Sequence, residues 1–141
     1  MLDDSRRISR ARLISGLRPK IREEALNLIA LKREGAYWDF KKEWHKDNSE
    51  LIHDMLCLAN NLESDVSYLF IGIDEEEDYS VCDVENNDHA ERKTNQMIVD
   101  MLSKTKWDNG QPPFAVVEPM ELDGGTIDIL CIVSRREDMP Y

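Results

Sequence analysis

The sequence predicts an α+β domain in which a mixed β-sheet is packed with helices. Segments with helical spacing of apolar residues alternate with short β-favouring segments. An almost uninterrupted apolar run over 68–73 is too short for a typical helix and indicates a buried strand. Two β-rich runs near the C-terminus are joined by Asp123-Gly124-Gly125, which predicts a hairpin. The expected order of elements is α-β-α-β-β-α-β-β.

The first helix and the first strand lie on either side of an acidic and aromatic stretch. Apolar residues at helical spacing predict a helix over about 19–33 that ends near Gly35. The segment AYWDFKKEW then favours a strand, because it is rich in aromatic residues. Its alternation puts Trp38 and Phe40 on one face and Asp39 on the other.

The middle of the chain predicts a helix followed by two strands. HKDNSELIHDMLCLANNL has apolar residues at helical spacing, with Asn48 or Ser49 as the N-cap. The apolar run over 68–73 should be the central strand, and a second strand should begin over 79–84.

The rest of the domain is expected to contain one more helix and the hairpin. Apolar spacing predicts a helix over about 89–104, with Asp88 as a plausible cap. The segment FAVVEPMELDGGTIDILCIV forms the hairpin. We expect a basic arm over 1–18 and one domain over 19–141 that belongs to a longer protein.

The composition is that of a globular chain. It has 141 residues, of which 41% are hydrophobic and 33% are charged, so it can bury a core of its own. The sequence contains neither a signal-peptide pattern nor an apolar stretch of about 20 residues. With an odd number of dispersed cysteines, these features predict a cytoplasmic protein with reduced thiols and no membrane partner.

The charges are unevenly distributed along the chain. The net charge is −11, yet the segment 1–33 is net basic and the segment 34–141 is strongly acidic. A basic arm ahead of an acidic body can hold the phosphates of RNA or DNA, bind an acidic partner, or pack along its own domain.

Three acidic residues lie where predicted elements end. Glu34 closes the first helix, Asp39 lies in the next strand, and Asp74 ends the buried strand. Pairing of the two strands would bring Asp39 and Asp74 together, with Lys41 on the face of Asp39. Carboxylates suit Mg²⁺ or Mn²⁺, but the chain has 29 acidic residues and acidic strand ends are commonly solvated. The pattern alone leaves both interpretations open.

Three motifs follow one another in the first half of the chain: E-x4-D-F-K, LIHDMLCLANN and YLFIGID. Residues 34–75, which contain them, resemble the Schlafen AlbA-type domain. The later helix and the EPMELDGGTIDILCIVSR hairpin agree with the family's remaining elements. Two features differ from the family pattern: Asp39 replaces the usual Glu, and the segment 62–67 replaces a Gly-Gly turn.

The resemblance implies a nucleic-acid-binding domain and, by analogy with nuclease members of the family, a metal-dependent endoribonuclease. The family's three acidic residues correspond to Glu34, Asp39 and Asp74, which would hold Mg²⁺ or Mn²⁺, and Lys41 corresponds to the family's lysine near the scissile phosphate. The further nucleic-acid contacts would come from basic residues, which are Arg6, Arg7, Arg10, Arg12 and Lys42. The alternative is a non-catalytic module that binds nucleic acid or protein within a larger regulator or helicase-like protein. RNA or DNA is the expected partner, and additional domains or a homo-oligomer stay open.

Overall fold

A computed structural model describes residues 19–86, 91–107 and 110–141. These residues form a four-stranded sheet with helices on both faces, so the predicted α+β class is confirmed. The helices are α1 over 19–30, α2 at Asn48–Ala59 and α3 at Asn95–Lys104. The strands are β1 (Trp38–Lys41), β2 (Val66–Ile71), β3 (Ile73–Asp74), β4 (Ser80–Val81), β5 (Phe114–Leu122) and β6 (Gly125–Val133). The order contains one strand more than predicted, because the central run divides into β2 and β3.

The main sheet has the order β1-β2-β6-β5, and β3 and β4 form a separate two-stranded ribbon. β1 pairs in parallel with β2, with Trp38 opposite Tyr68 and Lys41 opposite Ile71. β6 runs antiparallel to both β2 and β5. Because β1 and β2 are parallel, their carboxyl ends meet at the same edge of the sheet.

The two faces of the sheet bury two separate apolar clusters. One face packs against α1 through residues that include Ile21, Trp38 and Phe40. The other face packs against α2 and α3 through residues that include Met55 and Leu130. The predicted alternation along β1 is therefore confirmed: Trp38 and Phe40 are buried, whereas the residues that follow each of them are only partly buried.

Several predicted boundaries were wrong. α1 ends before Lys32, which takes a positive φ of 52° and donates its backbone N–H to the carbonyl of Ile29 at 3.1 Å. A residue in this left-handed conformation ends a helix without a glycine. The N-cap of α2 is Asp47, whose side chain accepts from the backbone N–H of Ser49 at 2.8 Å.

The second half of the chain also differs in its boundaries. The strand expected over 79–84 is reduced to Ser80–Val81, because positive φ at Asp78 and Tyr79 forms a turn before it. α3 begins at Asn95, with Thr94 as its N-cap. The cap predicted at Asp88 lies outside the described residues.

The hairpin is confirmed, with a two-residue turn between β5 and β6. Leu122 pairs with Gly125, and the two intervening residues, Asp123 and Gly124, have φ of 49° and 82°. Positive φ at both positions is the type I′ geometry that matches the twist of the flanking strands.

Candidate metal centre

A short loop between α1 and β1 brings the first two predicted acids together. Gly35 donates its backbone N–H to the carbonyl of Trp38 at 3.1 Å. The indole of Trp38 lies so close to Gly35 that an added Cβ would be 2.1 Å from its Cζ3 atom, and its Nε1 donates to the carbonyl of Arg33 at 2.7 Å. The chain reverses here, and the carboxylates of Glu34 and Asp39 become neighbours.

Three carboxylates form the candidate metal centre: Glu34, Asp39 and Glu75. One oxygen from each lies within 4.8 Å of the others. Oxygens that share one Mg²⁺ at about 2.1 Å are roughly 3–4 Å apart, so small side-chain rotations would let all three contact one ion. A set of three hard oxygen donors fits Mg²⁺ or Mn²⁺.

Glu75 reaches this cluster through the pairing of β1 with β2. The ladder continues beyond the two strands, because the backbone N–H of Gly72 donates to the carbonyl of Lys41 at 2.7 Å. Gly72 then takes a φ of 104°, a conformation that favours glycine. The short β3 contacts β1, and Glu75 begins the 3₁₀ turn that follows it.

Asp74, the predicted third ligand, does not join Glu34 and Asp39 within that distance in the described structure. Its Oδ1 accepts from the backbone N–H of Glu76 at 3.0 Å and so caps the 3₁₀ turn. Its Oδ2 lies 3.7 Å from Nζ of Lys42. The neighbouring residue, Glu75, occupies the position expected for Asp74.

The surroundings of Asp39 disfavour the charged form of its carboxylate. Burial raises the pKa of Asp39 above its usual value of 3.8, and the adjacent Glu34 carboxylate raises it further. The backbone N–H of Phe40, 2.7 Å from Asp39 Oδ1, and the charge of Lys41 act in the opposite direction but do not cancel the rise. A bound divalent cation would relieve the repulsion between these carboxylates.

We expect Asp39→Asn to reduce the loss of stability that accompanies rising pH. A raised pKa means that the folded state binds more protons than the unfolded state, so stability falls as pH rises from about 3.8 through the folded-state value. The variant lacks this ionisation. Its melting temperature should therefore fall less than that of the wild type as the pH rises through this range. Circular dichroism melts in metal-free buffer test this, with Glu77→Gln as the control, since Glu77 is exposed. Identical pH profiles for Asp39→Asn and the wild type would contradict it.

Tyr79 borders the carboxylate cluster. Its ring packs edge-on against Phe40, with ring centroids 5.0 Å apart. Partial burial raises its pKa, and the nearby carboxylates of Glu75, Glu34 and Asp39 add to the rise. Tyr79 therefore supplies an aromatic surface beside the three acids.

The predicted basic contacts divide into described and undescribed residues. Lys41 and Lys42 lie two and three residues after Asp39, and Lys41 Nζ lies 3.7 Å from Asp54 Oδ2. Their side chains are 39% and 66% exposed, so both ammonium groups can reach a ligand. The four arginines predicted to bind nucleic acid, Arg6, Arg7, Arg10 and Arg12, lie outside the described residues.

Sequence reasoning missed Glu75, Tyr79, Asp54 and His45. Glu75 lies in an acidic run, DEEED, and its position directly after the buried strand distinguishes only the first residue, Asp74. The glycine of FIGID could have indicated Glu75. A glycine with positive φ at a strand end changes which of the following residues faces the neighbouring strand. Asp54 and His45 carried no motif that distinguishes them from surface residues.

The fold and the site define an α+β domain with an acidic cluster beside its parallel edge strand, β1. The family model described as Schlafen, AlbA_2 matches residues 34–140, and the chain belongs to this family. Membership indicates a nucleic-acid-binding domain. Comparison with curated proteins and with solved structures gave no match. None of the described helices is both long and apolar enough to cross a membrane.

Proposed function

We propose that this domain is a metal-dependent endoribonuclease. The observation that supports the proposal best is the group of three carboxylates, Glu34, Asp39 and Glu75, whose oxygens lie within 4.8 Å of one another beside Lys41. Burial and the neighbouring Glu34 carboxylate disfavour the charged form of Asp39, and a divalent cation bound by the group would offset this cost. Family membership supports nucleic acid as the ligand.

Each residue has a distinct role in this proposal. Glu34, Asp39 and Glu75 would hold Mg²⁺ or Mn²⁺, which supplies a polarised phosphate oxygen and an activated water when bound. Lys41 would contact the scissile phosphate and stabilise the negative charge that develops there. Lys42 would contact the phosphate backbone, as would the arginines of the N-terminal arm.

Cleavage assays test the proposal directly. The purified chain would be incubated with end-labelled single-stranded and hairpin RNA in Mn²⁺, in Mg²⁺ and in EDTA. We expect internal cleavage that requires the cation. Absence of cleavage from every RNA in both metals would overturn the enzymatic proposal and favour the non-catalytic binding module. Single-stranded DNA of the same sequence would show whether cleavage requires the ribose 2′-hydroxyl.

We expect the N-terminal arm to contribute phosphate contacts. Changing Arg6, Arg7, Arg10 and Arg12 together to Gln should weaken RNA binding and reduce the slope of log K against log salt by about 3, at roughly 0.7 per lost contact on a single strand. Fluorescence anisotropy over a salt series in Ca²⁺ measures both quantities.

The control for the arm is Lys104→Gln with Lys106→Gln, two exposed lysines at the end of α3 and beyond it. This pair should leave the salt slope nearly unchanged. An unchanged slope for the arginine variant would show that the arm does not contact phosphate.

A further inference from the structure

A second polar group adjoins the carboxylate cluster through Lys41. Asp54 Oδ2 accepts from His45 Nε2 at 2.5 Å and lies 3.7 Å from Lys41 Nζ, so one carboxylate oxygen serves both side chains. These three residues line an open cavity of about 360 Å³ with Ser49, Glu50 and His53. Asp54 and His53 belong to α2, whereas Lys41 belongs to β1.

His45 is placed so that it orients Asp54. Its side chain is only 7% exposed, and its Nδ1 is buried with no hydrogen-bond partner among the described residues. Because a carboxylate accepts hydrogen bonds, the bond to Asp54 requires a proton on Nε2 of His45. The hydrogen bond to Asp54 thus sets the orientation of the His45 ring, and the same bond sets the orientation of the Asp54 carboxylate.

Lys41 interacts with Asp54 and also with a carboxylate of the candidate metal centre. It is two residues beyond Asp39 on the same face of β1, and its charge lowers the pKa of Asp39. A flexible lysine at this position could fold onto Glu34, Asp39 and Glu75 and compete with a cation for their oxygens. Asp54, whose Oδ2 lies 3.7 Å from Nζ, attracts the ammonium group toward α2.

We propose that Asp54, oriented by His45, is a positioning residue that holds the Lys41 ammonium beside the cluster, where it meets a phosphate without occupying the cation site. This inference rests on the proposed function, because the role of Lys41 is contact with the scissile phosphate. Asp54 and His45 act through Lys41 and do not touch the reacting atoms themselves.

Lysine labelling tests the contact without any RNA. Limited acylation with acetic anhydride, read by mass spectrometry, gives the reactivity of Lys41 relative to Lys42. Asp54→Asn should raise the labelling rate of Lys41 several-fold and leave Lys42 unchanged. The matched control is Asp74→Asn, which removes the partner of Lys42 at 3.7 Å and should raise the rate of Lys42 alone. An unchanged rate for Lys41 in Asp54→Asn would overturn the inference.

A kinetic cycle then tests the positioning role. We expect Asp54→Asn to lower kcat about tenfold in Mn²⁺ with little change in the Mn²⁺ concentration for half-maximal rate, and His45→Gln to act in the same direction more weakly. Asp54→Asn in a Lys41→Met background should cause little further loss, because the residue through which it acts is gone. Asp54→Glu should recover part of the rate.

The outcomes separate the two proposals. Wild-type cleavage combined with fully additive losses in the double variant would overturn the positioning role and leave the endoribonuclease proposal standing. An inactive wild type would overturn both the enzyme and the catalytic role of Lys41. Melting temperatures of all variants show whether a loss of rate reflects unfolding.

Discussion

Glu75→Gln is expected to abolish metal-dependent RNA cleavage, whereas Asp74→Asn is expected to retain it. The glutamine keeps the size of the side chain but replaces a charged ligand oxygen of the candidate cluster. We expect a loss of at least about 100-fold in kcat/KM, which corresponds to roughly 2.7 kcal/mol of transition-state stabilisation. Asp74→Asn keeps a side-chain oxygen that can cap the 3₁₀ turn, so its rate should stay within a few-fold of wild type.

The same pair of variants can be compared without RNA. A cation at about 100 times its Kd stabilises the folded state by about 2.7 kcal/mol, which should raise the melting temperature of the wild type by several degrees. The rise should persist in Asp74→Asn and disappear in Glu75→Gln. The opposite pattern, with the metal effect lost only in Asp74→Asn, would mean that Asp74 is the third ligand.

Of the substitutions proposed for this chain, Asp128→Ala is expected to cause the largest decrease in the free energy of unfolding. Asp128 lies in the middle of β6 and is 1% exposed. Its carboxylate accepts from Nε1 of Trp44 at 2.8 Å, from Nη2 of Arg92 at 2.7 Å and from Nε of Arg92 at 3.1 Å. Hydrogen bonding to Asp128 is the main cause that raises the pKa of the Arg92 guanidinium. Alanine would leave a buried indole N–H and a partly buried cation without their partner.

The expected loss is about 3 kcal/mol in the free energy of unfolding, at the lower end of the usual range for breaking a buried ion pair. The lower end applies because the Arg92 side chain is 37% exposed and can partly regain water. Urea titration monitored by tryptophan fluorescence measures it. Asp128→Asn should cost less than alanine, since an amide oxygen can still accept from Trp44.

The control is Asp65→Asn, which removes the partner of Arg136 at 3.6 Å from a pair whose side chains are both more than two-thirds exposed. Its effect should stay within about 0.5 kcal/mol, as for other solvated ion pairs. Equal losses for Asp128→Ala and Asp65→Asn would show that the interactions of Asp128 contribute no more to stability than those of a surface carboxylate.

The elements that apolar patterning defines were predictable from the sequence. β2 is buried by neighbours on both sides, and α2 has one apolar face, so each carries a continuous pattern over a long segment. Element boundaries that depend on the backbone conformation of a single residue were not predictable. Lys32 ends α1 with a positive φ, although lysine has no special preference for that conformation.

Two of the three acids of the candidate site were predictable for a similar reason. Glu34 and Asp39 are joined by one local loop, so their proximity follows from a short stretch of sequence. Whether Asp74 or Glu75 is the third acid depends on the direction of the backbone after Gly72. Side chains of successive residues in a strand point to opposite faces, so a shift of one residue exchanges the two. The contact of His45 with Asp54 requires the packing of α2 beside β1, which no local pattern encodes.

Because β1 pairs with β2, a cation bound at the candidate metal centre would also affect the stability of the sheet edge. Glu34 and Asp39 belong to β1 and the loop before it, whereas Glu75 follows β3, which comes after β2 and Gly72 in the chain. β1 is short, and only one of its edges is hydrogen-bonded within the four-stranded sheet. One ion bound by all three acids would therefore link β1, the outermost strand, to the rest of the sheet. Binding of the ion would then make β1 more ordered, and loss of the ion would make it less ordered.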